Sequence, residues 1–149
     1  MNQYSLSFLA ILGGMFLAAQ GGLNSSLGVL LKNPFLASVI AFFFSTLFAI
    51  LIVSFNYKQI PSTTDIQQVP GYLWFTGGLL SVIGISIYYF TIPRLGISTM
   101  ISLGLFGQLI FSIIAGHYGW LNLPIEPISF KKIVGFLSML IGILLINIK

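Results

Sequence analysis

Apolar residues fall in five long runs separated by short polar breaks. The first runs from about residue 5 to 31 and ends at Lys32-Asn33-Pro34, where proline continues a helix poorly and restarts one well. The second covers about 35–55. The longest polar stretch follows, Asn56 to Gly71, with Lys58, Pro61, Asp65 and Pro70. The third run covers about 72–92 and ends at a tight break, Pro93-Arg94-Leu95-Gly96. The fourth covers about 97–116, before a loop from His117 to Phe130 that carries Pro124, Glu126 and Pro127. The fifth covers about 131–148. A helix needs about 20 residues to cross a hydrocarbon core of roughly 30 Å. Each run therefore predicts one transmembrane helix, and the chain reads as an all-α integral membrane bundle of five helices forming one domain, residues 1–149.

Composition supports this. Charged residues make up 5% of the chain and hydrophobic residues 57%, with a mean hydropathy of +1.05. So few charges cannot keep a globular surface in water. Five spans leave no room for a soluble catalytic domain in 149 residues. The net charge of +4 comes from basic residues at the edges of the runs, where membrane proteins place them, so nucleic acid is not an expected partner. Cysteine is absent, which removes disulfides and thiolate metal sites. No Lys or Arg precedes the first run and no A-x-A site follows it, so it is expected to be a retained helix rather than a signal peptide.

Tyr4, Tyr57, Tyr72, Trp74, Tyr118 and Trp120 all fall at run ends on the N-terminal side, as expected of an aromatic belt. The termini then lie on opposite faces. That side also carries Lys58, Lys131 and Lys132, and the other carries Lys32, Arg94 and Lys149, so the two sides are tied at three each. Orientation follows the Lys and Arg bias, to which Asp65 and Glu126 add little. The tie allows two outcomes: one dominant loop sets a single topology, or copies insert both ways and pair antiparallel.

Small residues line one face of several runs: Gly14, Ala18, Gly21, Ser25 and Gly28; Ser38, Ala41, Ser45 and Ala49; Gly77, Ser81 and Gly84; Gly135, Ser138 and Gly142. Such faces let backbones approach closely in lipid. Most are read as packing within one subunit, with the last helix the better candidate for a subunit contact.

Polar groups at depth are few. Gln20 and Asn24, four residues apart, share a helical face beside the small stripe, and Gln108 sits midway along the fourth run between Gly104 and Ser112. They either hydrogen-bond other helices as structural glue or line a central polar cavity. Tyr88 and Tyr89 near the end of the third run add either an aromatic wall or an interfacial anchor, and Tyr88 joins Gln20, Asn24 and Gln108 as a candidate substrate-binding residue. No Asp, Glu, Lys or Arg lies at depth, so coupling through a buried carboxylate is not expected. His117 sits at a helix end beside Tyr118 and reads as an interfacial histidine. The amides suit a neutral or weakly charged solute rather than a full charge.

The chain resembles the short five-helix YdcZ-like exporters of the drug/metabolite transporter superfamily. The resemblance spans nearly the whole length through Gly13-Gly14, Gln20, Asn24, Leu27-Gly28, Asn33-Pro34 and Ala37; Gly77-Gly78-Leu79-Leu80; Pro93-Arg94-Leu95-Gly96; Gly107-Gln108-Leu109; Gly116-His117-Tyr118-Gly119; and Lys132-Ile133-Val134-Gly135. The chain departs from the family where Gly116 replaces an Asp, which bears on any role of His117, and where Ala41 and Ser45 replace Ser and Gly. The resemblance implies a half-sized secondary transporter of the bacterial inner membrane. It would pair, as an antiparallel homodimer or with a similar subunit, into a ten-helix inverted-repeat unit, and export a small metabolite or drug-like solute by alternating access. No cofactor or metal is implied. Two alternatives stand beside it: an accessory subunit of a larger membrane complex, and a membrane-embedded enzyme, for which one His and two loop acids are a poor inventory.

Overall fold

The computed structural model describes residues 2–55, 61–122 and 124–148. Tyr57, Lys58 and Lys149, which entered the aromatic and charge patterns above, lie outside the described residues. The helices are α1 (Gln3–Leu30), α2 (Pro34–Phe55), α3 (Thr63–Gln67), α4 (Leu73–Leu95), α5 (Ile97–Tyr118) and α6 (Phe130–Asn147), with a 3-10 turn at Trp120–Asn122. All but α3 are long and apolar enough to cross a membrane, the shortest having 18 residues. Their large side chains are mostly outward, Leu23 being 74% exposed and Phe16 likewise, which suits lipid as the surrounding solvent. The chain divides into two compact units, Met1–Arg94 and Leu95–Lys149.

In the first unit α1 and α2 form a tight hairpin. Lys32 takes a left-handed conformation (φ 52°), its N–H donates to the Val29 carbonyl, and the Asn33 N–H donates to the Gly28 carbonyl. This closes α1 in a Schellman motif. Asn33 Oδ1 then accepts from the N–H groups of Phe35 and Leu36 at 3.0 and 3.1 Å, capping α2, whose first residue is Pro34. At the hairpin Gly28 packs directly against α2. A Cβ there would already lie 3.4 Å from both the Pro34 Cα and the fully buried Ala37 Cβ, so a larger side chain has no room. Helix α4 packs on both members of the pair. The buried hydroxyls of Ser38 and Ser86 meet at 2.9 Å, and Ile92 packs 3.6 Å from where Gly21 would carry a Cβ.

Helix α4 runs through Pro93 to Leu95 and stops at Gly96, whose φ of 87° suits glycine, whereas the sequence pattern suggested a break starting at the proline. Pro93 has no N–H for the Tyr89 carbonyl one turn earlier, a gap that is costly in hydrocarbon. The Ser25 hydroxyl, 2% exposed, fills it by donating to the Tyr89 carbonyl at 3.4 Å. Arg94 closes the helix, its guanidinium donating to the Phe90 carbonyl and lying 3.6 Å above the Phe90 ring. The polar stretch before α4 contains the short helix α3, where Ser62 and Asp65 form a reciprocal capping box. The hydrogen bonds from Ser62 hold the Asp65 carboxyl below its ordinary value.

The second unit is an antiparallel pair, α5 and α6. Phe106 stacks on Phe136 with ring centroids 4.9 Å apart, and Asn147 Nδ2 donates to Ser102 Oγ at 3.4 Å and to the Ile143 carbonyl at 2.8 Å. Helix α5 extends to Tyr118 and ends on Gly119 in the left-handed region (φ 64°). In the following loop the Glu126 N–H donates to the Gly116 carbonyl at 2.8 Å. The Ser129 side chain caps α6 by accepting from the Lys132 N–H at 3.3 Å.

The Pro93–Ser25 relation predicts a non-additive pair. Ser25→Ala should cost about 1 kcal/mol in detergent unfolding titrations. In a Pro93→Ala background, where residue 93 regains its N–H, the same change should cost clearly less. Equal costs in both backgrounds would show that the serine does not serve this carbonyl.

Candidate functional site: a buried amide–tyrosine group

Gln20 and Asn24 lie one turn apart on α1, inside the span rather than at its ends. The structure brings them onto one side chain of α4. Asn24 Nδ2 donates to Gln20 Oε1 at 2.9 Å and to the Tyr89 hydroxyl at 2.9 Å, and that hydroxyl donates to Gln20 Oε1 at 3.2 Å. The three form a closed hydrogen-bonded triangle. Tyr89 is 2% exposed, whereas the two amides are half-buried. The register follows from packing: Ser86, Tyr89 and Ile92 are the buried residues of α4, and Gly21, Ser25 and Gly28 those of α1. The ring of Tyr89 therefore enters beside the small face of α1 with its hydroxyl directed at the neighbouring amides.

The triangle does not use up its members. An amide carries two donor hydrogens and an acceptor oxygen. Both hydrogens of Asn24 and the oxygen of Gln20 are engaged inside the group. Gln20 Nε2 and Asn24 Oδ1 have no hydrogen-bond partner among the described residues, and neither is sealed in the protein interior. The group thus offers one donor and one acceptor outward, with no formal charge.

The other sequence candidates fall elsewhere. Tyr88 is half-buried and about 100° round α4 from Tyr89, which is the tyrosine that meets the amides. Gln108 is an exposed residue of α5 in the second unit. In that unit a cavity of about 550 Å³ lies between α5, the following loop and α6. Its lining is mainly apolar, including Leu109, Gly116 and Phe136, with Glu126 and Lys132 at its edge. These two form an exposed ion pair at 3.0 Å, worth at most about 1 kcal/mol. Glu126 sits over Gly116, its Cβ 3.7 Å from where a Gly116 Cβ would be. His117 Nδ1 accepts from the Ile128 N–H at 3.4 Å and so helps to hold the loop. No group of three or more His, Cys, Asp or Glu residues able to hold a metal ion occurs among the described residues.

Sequence spacing paired Gln20 with Asn24, and of the two adjacent tyrosines it is Tyr89 whose hydroxyl meets these amides. The signal that separates them is Pro93. Proline frees the Tyr89 carbonyl, and a freed carbonyl at depth has to face another helix.

The family profile described as "Putative inner membrane exporter, YdcZ" matches residues 5–145. No curated protein and no solved structure gives a significant match. The profile covers five helices able to span a bilayer and the whole of the amide–tyrosine group. The chain accordingly belongs to the YdcZ family of inner-membrane exporters and is a multi-pass protein of that membrane.

Proposed function

We propose that the chain exports a small organic solute by alternating access as a half-sized transporter, two copies building a ten-helix unit. The carrying observation is the Gln20–Asn24–Tyr89 group. Polar side chains at membrane depth are costly unless partnered, and this group keeps one donor and one acceptor turned outward after its internal bonds are made. Structural glue alone would need only the inward half. Gln108 on α5 and Tyr88 on α4 are further contacts in this reading, on the strength of their sequence placement. A full charge on the solute would find no counter-charge here, and no buried carboxylate offers a proton to exchange.

Pairing is supported by the bare small faces. Built Cβ atoms at Gly77, Gly84, Gly135 and Gly142 would meet no neighbour within 4 Å, leaving those faces open to close helix contact. The charge tie favours two copies of opposite orientation, the arrangement that an inverted-repeat transporter builds into one chain. A similar partner subunit inserted the other way would serve equally.

Two outcomes follow. Overproduction should raise particular solutes in the culture medium, and Gln20→Leu or Gln108→Leu should lower that export by about tenfold or more while the protein still inserts. Unchanged medium profiles would remove these residues from recognition. Single cysteines placed in the 56–71 loop and beside Lys149, in a chain with no native cysteine, should each label to about half with an impermeant maleimide on intact cells, as a tied charge bias implies. Labelling at only one site would contradict the antiparallel homodimer.

A further inference from the structure

Resting on the reading that Gln20 and Asn24 touch the solute, we infer that Tyr89 is a positioning residue. It locks the two amides so that one donor and one acceptor are left free outside the group, an arrangement that selects uncharged solutes carrying an amide or ureide group. The lock comes from the hydrogen-bond inventory. Tyr89 has one O–H, directed at Gln20 Oε1, and its oxygen accepts from Asn24. Asn24 Nδ2 spends both hydrogens within the group. Turning either amide alone would place donor against donor or acceptor against acceptor. Turning both together restores a closed triangle and merely exchanges which outward group donates. In either state the outward edge has one NH₂ and one C=O, held by a tyrosine that is 2% exposed.

That edge discriminates by pairing. An amide or ureide has a C=O to accept from the NH₂ and an N–H to donate to the C=O, on separate atoms, so both outward groups are satisfied. A carboxylate satisfies the donor but sets its oxygens against the outward carbonyl. An ammonium satisfies the carbonyl but faces the NH₂ with more donors. Either ion also loses hydration with no counter-charge among the triangle's members. A single hydroxyl satisfies both groups only where one oxygen reaches both, as the Tyr89 hydroxyl does on the inward side. An unpaired polar group in a desolvated site costs about 1–3 kcal/mol, which corresponds to about tenfold or more in affinity.

The test uses the intact protein in lipid nanodiscs, with the side-chain NH₂ signals of Gln20 and Asn24 followed by ¹⁵N NMR. The probes share one side chain: N-acetylleucinamide (neutral), N-acetylleucine (anion) and leucinamide, kept as the cation at about pH 6. N-acetylleucinamide should shift both signals saturably, and each ion should need about tenfold more to do so. In Tyr89→Phe the two NH₂ signals should move together and the preference for the neutral probe should fall below about threefold. A merely structural tyrosine would leave the preference intact. Equal or tighter binding of either ion, or no saturable shift with any probe, overturns the solute class. That comparison uses the wild-type chain and stands even if the variant fails to fold. The exporter reading fails separately, when Gln20→Leu leaves the medium solutes unchanged. A wrong class at a correct site instead gives Gln20-dependent export together with a shift caused by a charged probe.

Discussion

Hydrocarbon offers no water to an unpaired polar group, and the packing of α1, α2 and α4 follows from how the groups at their contacts are satisfied. Pro93 removes one helical hydrogen bond within a membrane span. The vacated Tyr89 carbonyl is met by Ser25 of a neighbouring helix at 3.4 Å. That contact sets α1 and α4 so that the ring of Tyr89 lies beside Gln20 and Asn24, and the triangle follows from it. The same constraint shapes the α1–α2 hairpin, where Asn33 and the left-handed Lys32 together engage the backbone groups that the turn exposes.

Small residues make these contacts reachable. Gly28 and Ala37 let α1 and α2 close to van der Waals distance, Gly21 admits Ile92, and the Ser38–Ser86 pair ties α2 to α4. Each hydroxyl or amide bond of this kind is worth only about 0.6–1.7 kcal/mol in a bilayer, so no single one holds the unit together. Their value lies in specificity, because only one register satisfies them all. Gly77, Gly84, Gly135 and Gly142 offer similar small faces, where a built Cβ meets none of the described residues within 4 Å, and in the proposed dimer such faces are where a second copy has access.

The five spans were legible because a membrane helix needs a long apolar run and little else. The pairing of Gln20 with Asn24 was legible because four residues make about one turn. The third run ends at about residue 92 in the sequence pattern, and α4 continues three residues further. Proline usually interrupts a helix, but here a serine on another helix meets the carbonyl it frees, and Gly96 makes the actual stop. The choice between Tyr88 and Tyr89 was not legible from hydropathy, since both sit near a helix end and both suit an interfacial belt. It depends on which face of α4 turns inward, and that face is set by Ser86 and Ile92, three residues to either side of Tyr89. The relation of Glu126 to Gly116 was equally hidden, because a loop closed by the Gly116 carbonyl brings together residues ten apart that no helical period links.

The central claim is that the outward edges of Gln20 and Asn24 face a solute path rather than lipid or another helix. Thiols react with water-soluble methanethiosulfonates as thiolates, which form only where water reaches them. Single cysteines replacing Gln20, Asn24 and the outward Leu23, 74% exposed in the isolated chain, test the claim in native membranes. The account predicts reaction at positions 20 and 24 and protection at 23. Protection at all three, in chains that insert normally, would show that the amides are glue and contradict the account.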